Sequence, residues 1–216
     1  MNKFLKSSTE LRPQTFQGLS NPIKREFYLY ITVLFGVVAA FLTAYFHFEV
    51  YQLSKENSLL ENLQALICGV IFFAFLWSFK KAEGHIKLLL LFFSFLGFAF
   101  VLRELDVEKF DLPSIIIFWG SGTGRNGLLA VMFSITLFLY LKRFPEYFDV
   151  TKSFFKGLIG KLVLLSGFVL VFSEIVEKHM AWQHHVMIEE TLELVGFSIF
   201  LIAGLLSRHI TCRYKF

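Results

Sequence analysis

Residues 119–143 read WGSGTGRNGLLAVMFSITLFLYLKR, and the stretch admits two readings that lead to different folds. Gly122, Gly124 and Gly127 stand at the spacing G-x-G-x-x-G, after the apolar run SIIIF at 114–118 and before a helix-like run. That is the order of a dinucleotide-binding turn between a strand and a helix. Alternatively, the unbroken apolar run at 128–141, closed by Lys142 and Arg143, is the inner part of a helix that crosses a bilayer and stops at cationic residues.

Composition decides for the membrane. Of 216 residues 56% are hydrophobic and 29 are Phe, with a mean hydropathy of +0.62, far more apolar than a soluble domain of this length requires. No βαβ unit surrounds the glycines, so a nucleotide turn lacks its context. A bilayer supplies no hydrogen bonds to a spanning backbone, so long apolar runs broken by short charged ones predict an all-α, polytopic bundle.

Six spans are expected, at about 27–49, 59–79, 86–102, 121–141, 157–174 and 186–206, each uncertain by ~2–4 residues at its ends. The domain plan is a basic N-terminal segment at 1–26, a six-helix transmembrane domain at 27–207 and a basic tail at 208–216. The first 26 residues show no short apolar core followed by small residues, so the first span is expected to act as its own insertion signal.

Charge sets the orientation. With both termini cytoplasmic, the inner side holds Lys3, Lys6, Arg12, Lys24, Arg25, Lys80, Lys81, Lys87, Lys142, Arg143, Lys152, Lys156, Lys161, Arg208, Arg213 and Lys215, which is 16 of the 21 basic residues. Only Lys55, Arg103, Lys109, Arg125 and Lys178 lie outside. A re-entrant fourth span would move the basic segment 142–161 outward, so that alternative is rejected. Trp119 and Trp182 then mark the outer interface and Trp77 the inner one. The expected location is a plasma membrane, specifically a bacterial inner membrane. Basic residues scattered over several loops argue against nucleic acid, and two separated cysteines, Cys68 and Cys212, argue against a disulfide framework.

The acidic residues run the other way. Glu49, Glu56, Glu61, Glu104, Asp106, Glu108, Asp111, Glu174, Glu177, Glu189, Glu190 and Glu193 map to the outer side, 12 of the 17 carboxylates. His47, His179, His184 and His185 join them. The topology rule barely constrains acids, so this asymmetry points to an outward-facing His/carboxylate cavity.

Its densest part is HHVMIEETLEL at 184–194. His185, Glu189 and Glu193 follow at i, i+4, i+8 and share a helix face, a pattern able to hold a divalent metal with a glutamate as general base. A helix macrodipole accounts for Glu189 and Glu190 without any ligand, but Glu193 lies roughly 10 Å inward of Val186 and needs a partner or a cavity. On the second span, Ser58-x-x-Glu61 matches a capping box, which leaves Gln64, one turn deeper, unexplained. Arg103 ends the third span beside Glu104 and is expected to pair with acids of the second or sixth span. Glu174, Glu177 and His179 close the fifth. Glu61-x-Leu63-Gln64 and Glu190-x-Leu192-Glu193 form a faint internal repeat.

Three functions follow as alternatives. The first is a membrane-embedded hydrolase or transferase acting on lipid or envelope substrates, with Glu193, Glu189, Glu190, His185, Arg103 and Glu104 as catalytic groups and His185, Glu189 and Glu193 as possible metal ligands. The second is a transporter or channel, which the weak midplane groups Thr43, Ser94, Ser134, Thr136, Ser166 and Ser198 disfavour. The third is an assembly protein or scaffold. A homodimer is compatible with each. The glycines are then expected to fold an outer loop tightly, capped by Ser121 or Thr123, and Gly122, Gly124 and Arg125 to face an anion such as a lipid headgroup.

Overall fold

The computed structural model describes residues 21–48, 59–105, 107–109, 111–179 and 185–209. These form helices α1 (Asn21–Phe48), α2 (Leu59–Lys81), α3 (Ile86–Glu104), α4 (Ser114–Gly120), α5 (Gly122–Lys142), α6 (Phe144–Lys156), α7 (Leu158–His179) and α8 (His185–Ser207). Among the described residues there is no strand, so the segment before the glycines is a short helix rather than the strand of a nucleotide fold. Four helices, Leu60–Lys81, Ile86–Glu104, Gly122–Lys142 and Leu158–Lys178, are long and apolar enough to cross a membrane. The chain is a multi-pass membrane protein.

Its helices bury several small polar groups in the core while leaving many large apolar ones outside. Phe35, Phe73, Phe138 and Phe168 are exposed, whereas Ser78, Ser94, Ser166, Ser173 and Ser207 are buried. In lipid an outward phenylalanine costs nothing, and helices associate through close packing and short hydrogen bonds instead. Ser94 donates to the Phe72 carbonyl at 3.0 Å and Ser166 to the Gly196 carbonyl at 2.8 Å, tying α3 to α2 and α7 to α8. Ser207 donates to the Ser78 hydroxyl at 2.6 Å, tying α8 to α2. A β-carbon at Gly97 would sit 2.9 Å from the Phe72 backbone nitrogen, so α2 and α3 approach as closely as they do only because residue 97 has none.

The centre is aromatic. Phe75 lies between Phe93 and Phe200, with ring centroids 5.4 and 5.1 Å away, and Phe154 of α6 stacks on Phe93 at 5.5 Å. The high phenylalanine content therefore serves both the lipid-facing surface and a ring-packed core. Helix α8 is the most enclosed, flanked by α7, α2 and α1.

Two segments expected as loops carry helix. Within 103–120, a 3₁₀ turn at Val107–Lys109 precedes α4. Between the spans α5 and α7 runs amphipathic α6, with Pro145 in its first turn, Val150 and Phe154 buried, and Phe144 and Phe148 exposed. Its apolar positions follow helical spacing, but a proline flanked by charges masked that signal.

At the opposite end of the bundle from Arg103, Glu26 of α1 accepts from Arg208 at 2.8 Å and lies 3.0 Å from His209, fastening α1 to the end of α8. Burial pushes the Glu26 carboxyl up, but the bonds to His209 and Arg208 outweigh it and hold the group below its ordinary range. A carboxyl lowered by folding contributes stability above its unfolded pKa and loses it as pH falls through the folded one. Acidification below the usual carboxylate range should therefore loosen α1 from α8, read as faster amide exchange over 21–30, and Glu26→Gln should show that exchange already at neutral pH.

Candidate functional site

Four helix ends meet at one side of the bundle: the N-termini of α2 and α8 and the C-termini of α3 and α7. The antiparallel order of these helices brings them together, and each contributes a polar group within about two turns of its end.

Arg103 is the hub. Its guanidinium donates to Glu193 Oε1 at 2.5 Å, lies 3.4 Å from Glu174 Oε1 and holds Glu104 Oε1 at 3.7 Å through Nε. Glu193 is 4% exposed and the Glu104 side chain 7%, while the Arg103 side chain remains 40% exposed. Arg103 favours the negative end of α3, as a cation should. Glu104 and Glu174 sit at helix C-termini against the dipole, which their pairing offsets; Glu174 also accepts from Lys178 at 2.7 Å.

The second half of the cluster joins α2 to α8. Gln64, 0% exposed, donates through Nε2 to Glu190 Oε2 at 3.0 Å and to the Glu190 carbonyl at 3.2 Å. The two similar openings noticed in the sequence, at 61–64 and 190–193, thus meet face to face. Cys68, one turn below Gln64, is fully buried.

Two oxygens in this cluster are unsatisfied. Gln64 Oε1 and Glu104 Oε1 are buried and find no hydrogen-bond donor among the described residues. Both are acceptors, so what would complete them is a donor: water, an ammonium or a hydroxyl.

The expected residues fall into three groups. Arg103, Glu104, Glu190, Glu193 and Gln64 come together, and Glu174 of α7 joins them as a partner of Arg103 while also pairing with Lys178. Glu61 and Glu189 are half-buried nearby on α2 and α8, and Glu177 is exposed. The side chains of His179 and His185 lie outside the described residues, as do His184, Asp106 and the cap Ser58. Among the described residues no three His, Cys, Asp or Glu side chains gather to hold a metal ion; Glu193 is turned to Arg103.

The glycine-rich turn packs beside α3. Gly122 has φ +51°, a left-handed conformation that favours glycine, and a β-carbon at Gly124 would fall 1.9 Å from the Phe118 carbonyl oxygen. Gly127 faces open space. Ser121 occupies the cap position of α5, but its hydroxyl donates back to the Ile117 carbonyl at 2.8 Å. Arg125 donates to the Leu102 carbonyl at 2.9 Å, one residue before Arg103, and so pins the start of α5 to the end of α3 beneath the cluster's hub. Gly124 thus faces the Phe118 carbonyl oxygen, itself an acceptor. The chain matches no protein-family model, no curated protein and no solved structure, so its function has to be argued from this geometry.

Proposed function

We propose that the protein spans the membrane six times with both termini cytoplasmic, in a bacterial inner membrane, and that the Arg103 cluster is an outward-facing site for general acid–base chemistry on a lipid or envelope substrate, as a hydrolase or transferase. The single observation that carries this reading is the pair of unsatisfied acceptors, Gln64 Oε1 and Glu104 Oε1, beside three buried or half-buried carboxylates that share one guanidinium. A purely structural ion-pair lock would satisfy its own acceptors. In this reading Glu104 and Glu190 exchange protons with the substrate, Gln64 orients Glu190, and Glu193 positions Arg103 for developing negative charge. The buried serines across the middle of the bundle bond helix to helix, which supports a one-sided site over a through-path.

The test compares extracted lipids and envelope material, by mass spectrometry, from cells producing the wild type, Glu104→Gln, Glu190→Gln or no protein. A species that depends on the wild type should fall about 100-fold or more in rate of formation in either variant, with equal protein in the membrane. Unchanged formation in both variants overturns the reading.

A further inference from the structure

Away from the Arg103 cluster, α3, α5 and α6 enclose a cleft of about 280 Å³. Leu88, Phe92, Phe133, Leu137 and Phe155 line it, and Thr136 Oγ1 within it is already bonded to the Met132 carbonyl at 2.9 Å, so the interior offers hydrocarbon and almost nothing polar. At one end the lining changes character. Tyr140 and Thr151 stand there with their hydroxyls 3.4 Å apart, a long contact that leaves both able to turn toward a better acceptor.

Cations border the lining positions in sequence: Lys87 precedes Leu88, Lys152 follows Thr151, Lys156 follows Phe155, and Lys142 and Arg143 follow Tyr140 within one turn. Of the two acids on α6, Glu146 is engaged by His85 at 3.2 Å and by Arg143 at 3.9 Å, and Asp149 is exposed three residues before Lys152. Lys152 and Lys156 are exposed. Helix α6 itself is amphipathic, the form that lies along a membrane surface with its apolar face inward.

We propose that this cleft is a binding site for an anionic phospholipid, one acyl chain lying between α3, α5 and α6 and the phosphate held by Tyr140, Thr151 and the lysines of α6. Charge complementarity selects the occupant. A zwitterionic lipid fills the hydrocarbon part equally well but brings no net charge to the exposed lysines of α6, whereas phosphatidylglycerol does. The proposal rests on the bilayer environment alone and is independent of the acid–base reading of the Arg103 cluster.

The test uses the full chain, delipidated in detergent and titrated with phosphatidylglycerol or phosphatidylcholine of the same acyl composition, with bound lipid counted by native mass spectrometry. Phosphatidylglycerol should be retained preferentially. Each lysine near a charged headgroup is worth about fivefold, so Lys152→Gln with Lys156→Gln should weaken phosphatidylglycerol binding by roughly thirtyfold and leave phosphatidylcholine unchanged. Leu137→Trp, at an outward-facing lining position that tolerates bulk, should fill the cleft and reduce retention of both lipids. Inorganic phosphate at millimolar concentration should not displace the lipid, which separates a headgroup with its chain from a free anion. Equal retention of the two lipids by the wild type overturns the proposal, as does undiminished phosphatidylglycerol binding in the double-lysine variant or displacement by phosphate alone. An unchanged lipid-free melting temperature in each variant keeps loss of binding distinct from loss of fold.

Discussion

Replacing Arg103 by alanine should lower the stability of the solubilised protein by about 3 kcal/mol, a fall in melting temperature of roughly 6–12 °C for a chain of this size. The cause is what remains. Glu193, 4% exposed, loses the donor at 2.5 Å, and Glu104 loses its one cationic neighbour, leaving buried acid without a counter-charge. The figure lies at the low end for a broken buried pair because the Arg103 side chain is itself 40% exposed. Arg103→Lys should recover only part of the loss, since one ammonium cannot reach Glu193, Glu174 and Glu104 with the fork of a guanidinium. The paired replacement Arg103→Met with Glu193→Leu removes both charges and should be markedly more stable than Arg103→Ala. Thermal unfolding of the three variants in one detergent checks this; a double variant no better than the single one would show that the Glu193 partnership is not the origin of the effect.

The second large effect concerns the glycines. Gly124→Ala places a β-carbon 1.9 Å from a backbone carbonyl, which no side-chain movement relieves, so α4 must separate from α5. The expected cost is about 2–3 kcal/mol, typical of overpacking a tight contact. Gly127→Ala meets nothing within 4 Å and replaces a poor helix former by the best one, so it should be neutral or stabilising by up to ~1 kcal/mol. A phosphate-cradling motif would be sensitive at all three glycines. Here sensitivity should divide between Gly122 and Gly124 on one side and Gly127 on the other, and thermal stability of the single variants reads that division directly. Loss of the Gly124 contact should also disturb Arg125, whose bond to Leu102 lies next to the Arg103 hub.

Much of the candidate site was legible because burial of charge is visible as sequence position. Glu193 stood too deep on its helix to be solvated, Gln64 had no role in a capping box, and Arg103 was a cation at a helix end expected on the same side as both. Each anomaly turned out to have a partner: Glu193 with Arg103, Gln64 with Glu190. Glu174 was already placed among the outer polar groups, but its i+4 lysine also explains it locally, and only the assembled bundle brings its other oxygen to Arg103. Helix α6 was missed because a proline and several charges between two spans read as a loop, and its buried side exists only once α3 and α7 are there to receive Val150 and Phe154.

What the sequence by itself determined is the membrane solvent and the all-helical class, because hydropathy is a sum over the chain and needs no coordinates. What only the tertiary structure decided is which carboxylates share Arg103, that Gln64 and Glu104 each keep an acceptor without a donor among the described residues, and that the glycines sit at a tight turn between α4 and α5. Those are relations between helices. In a bilayer they depend on which small residues allow two backbones to approach, and that is settled by packing on all sides at once.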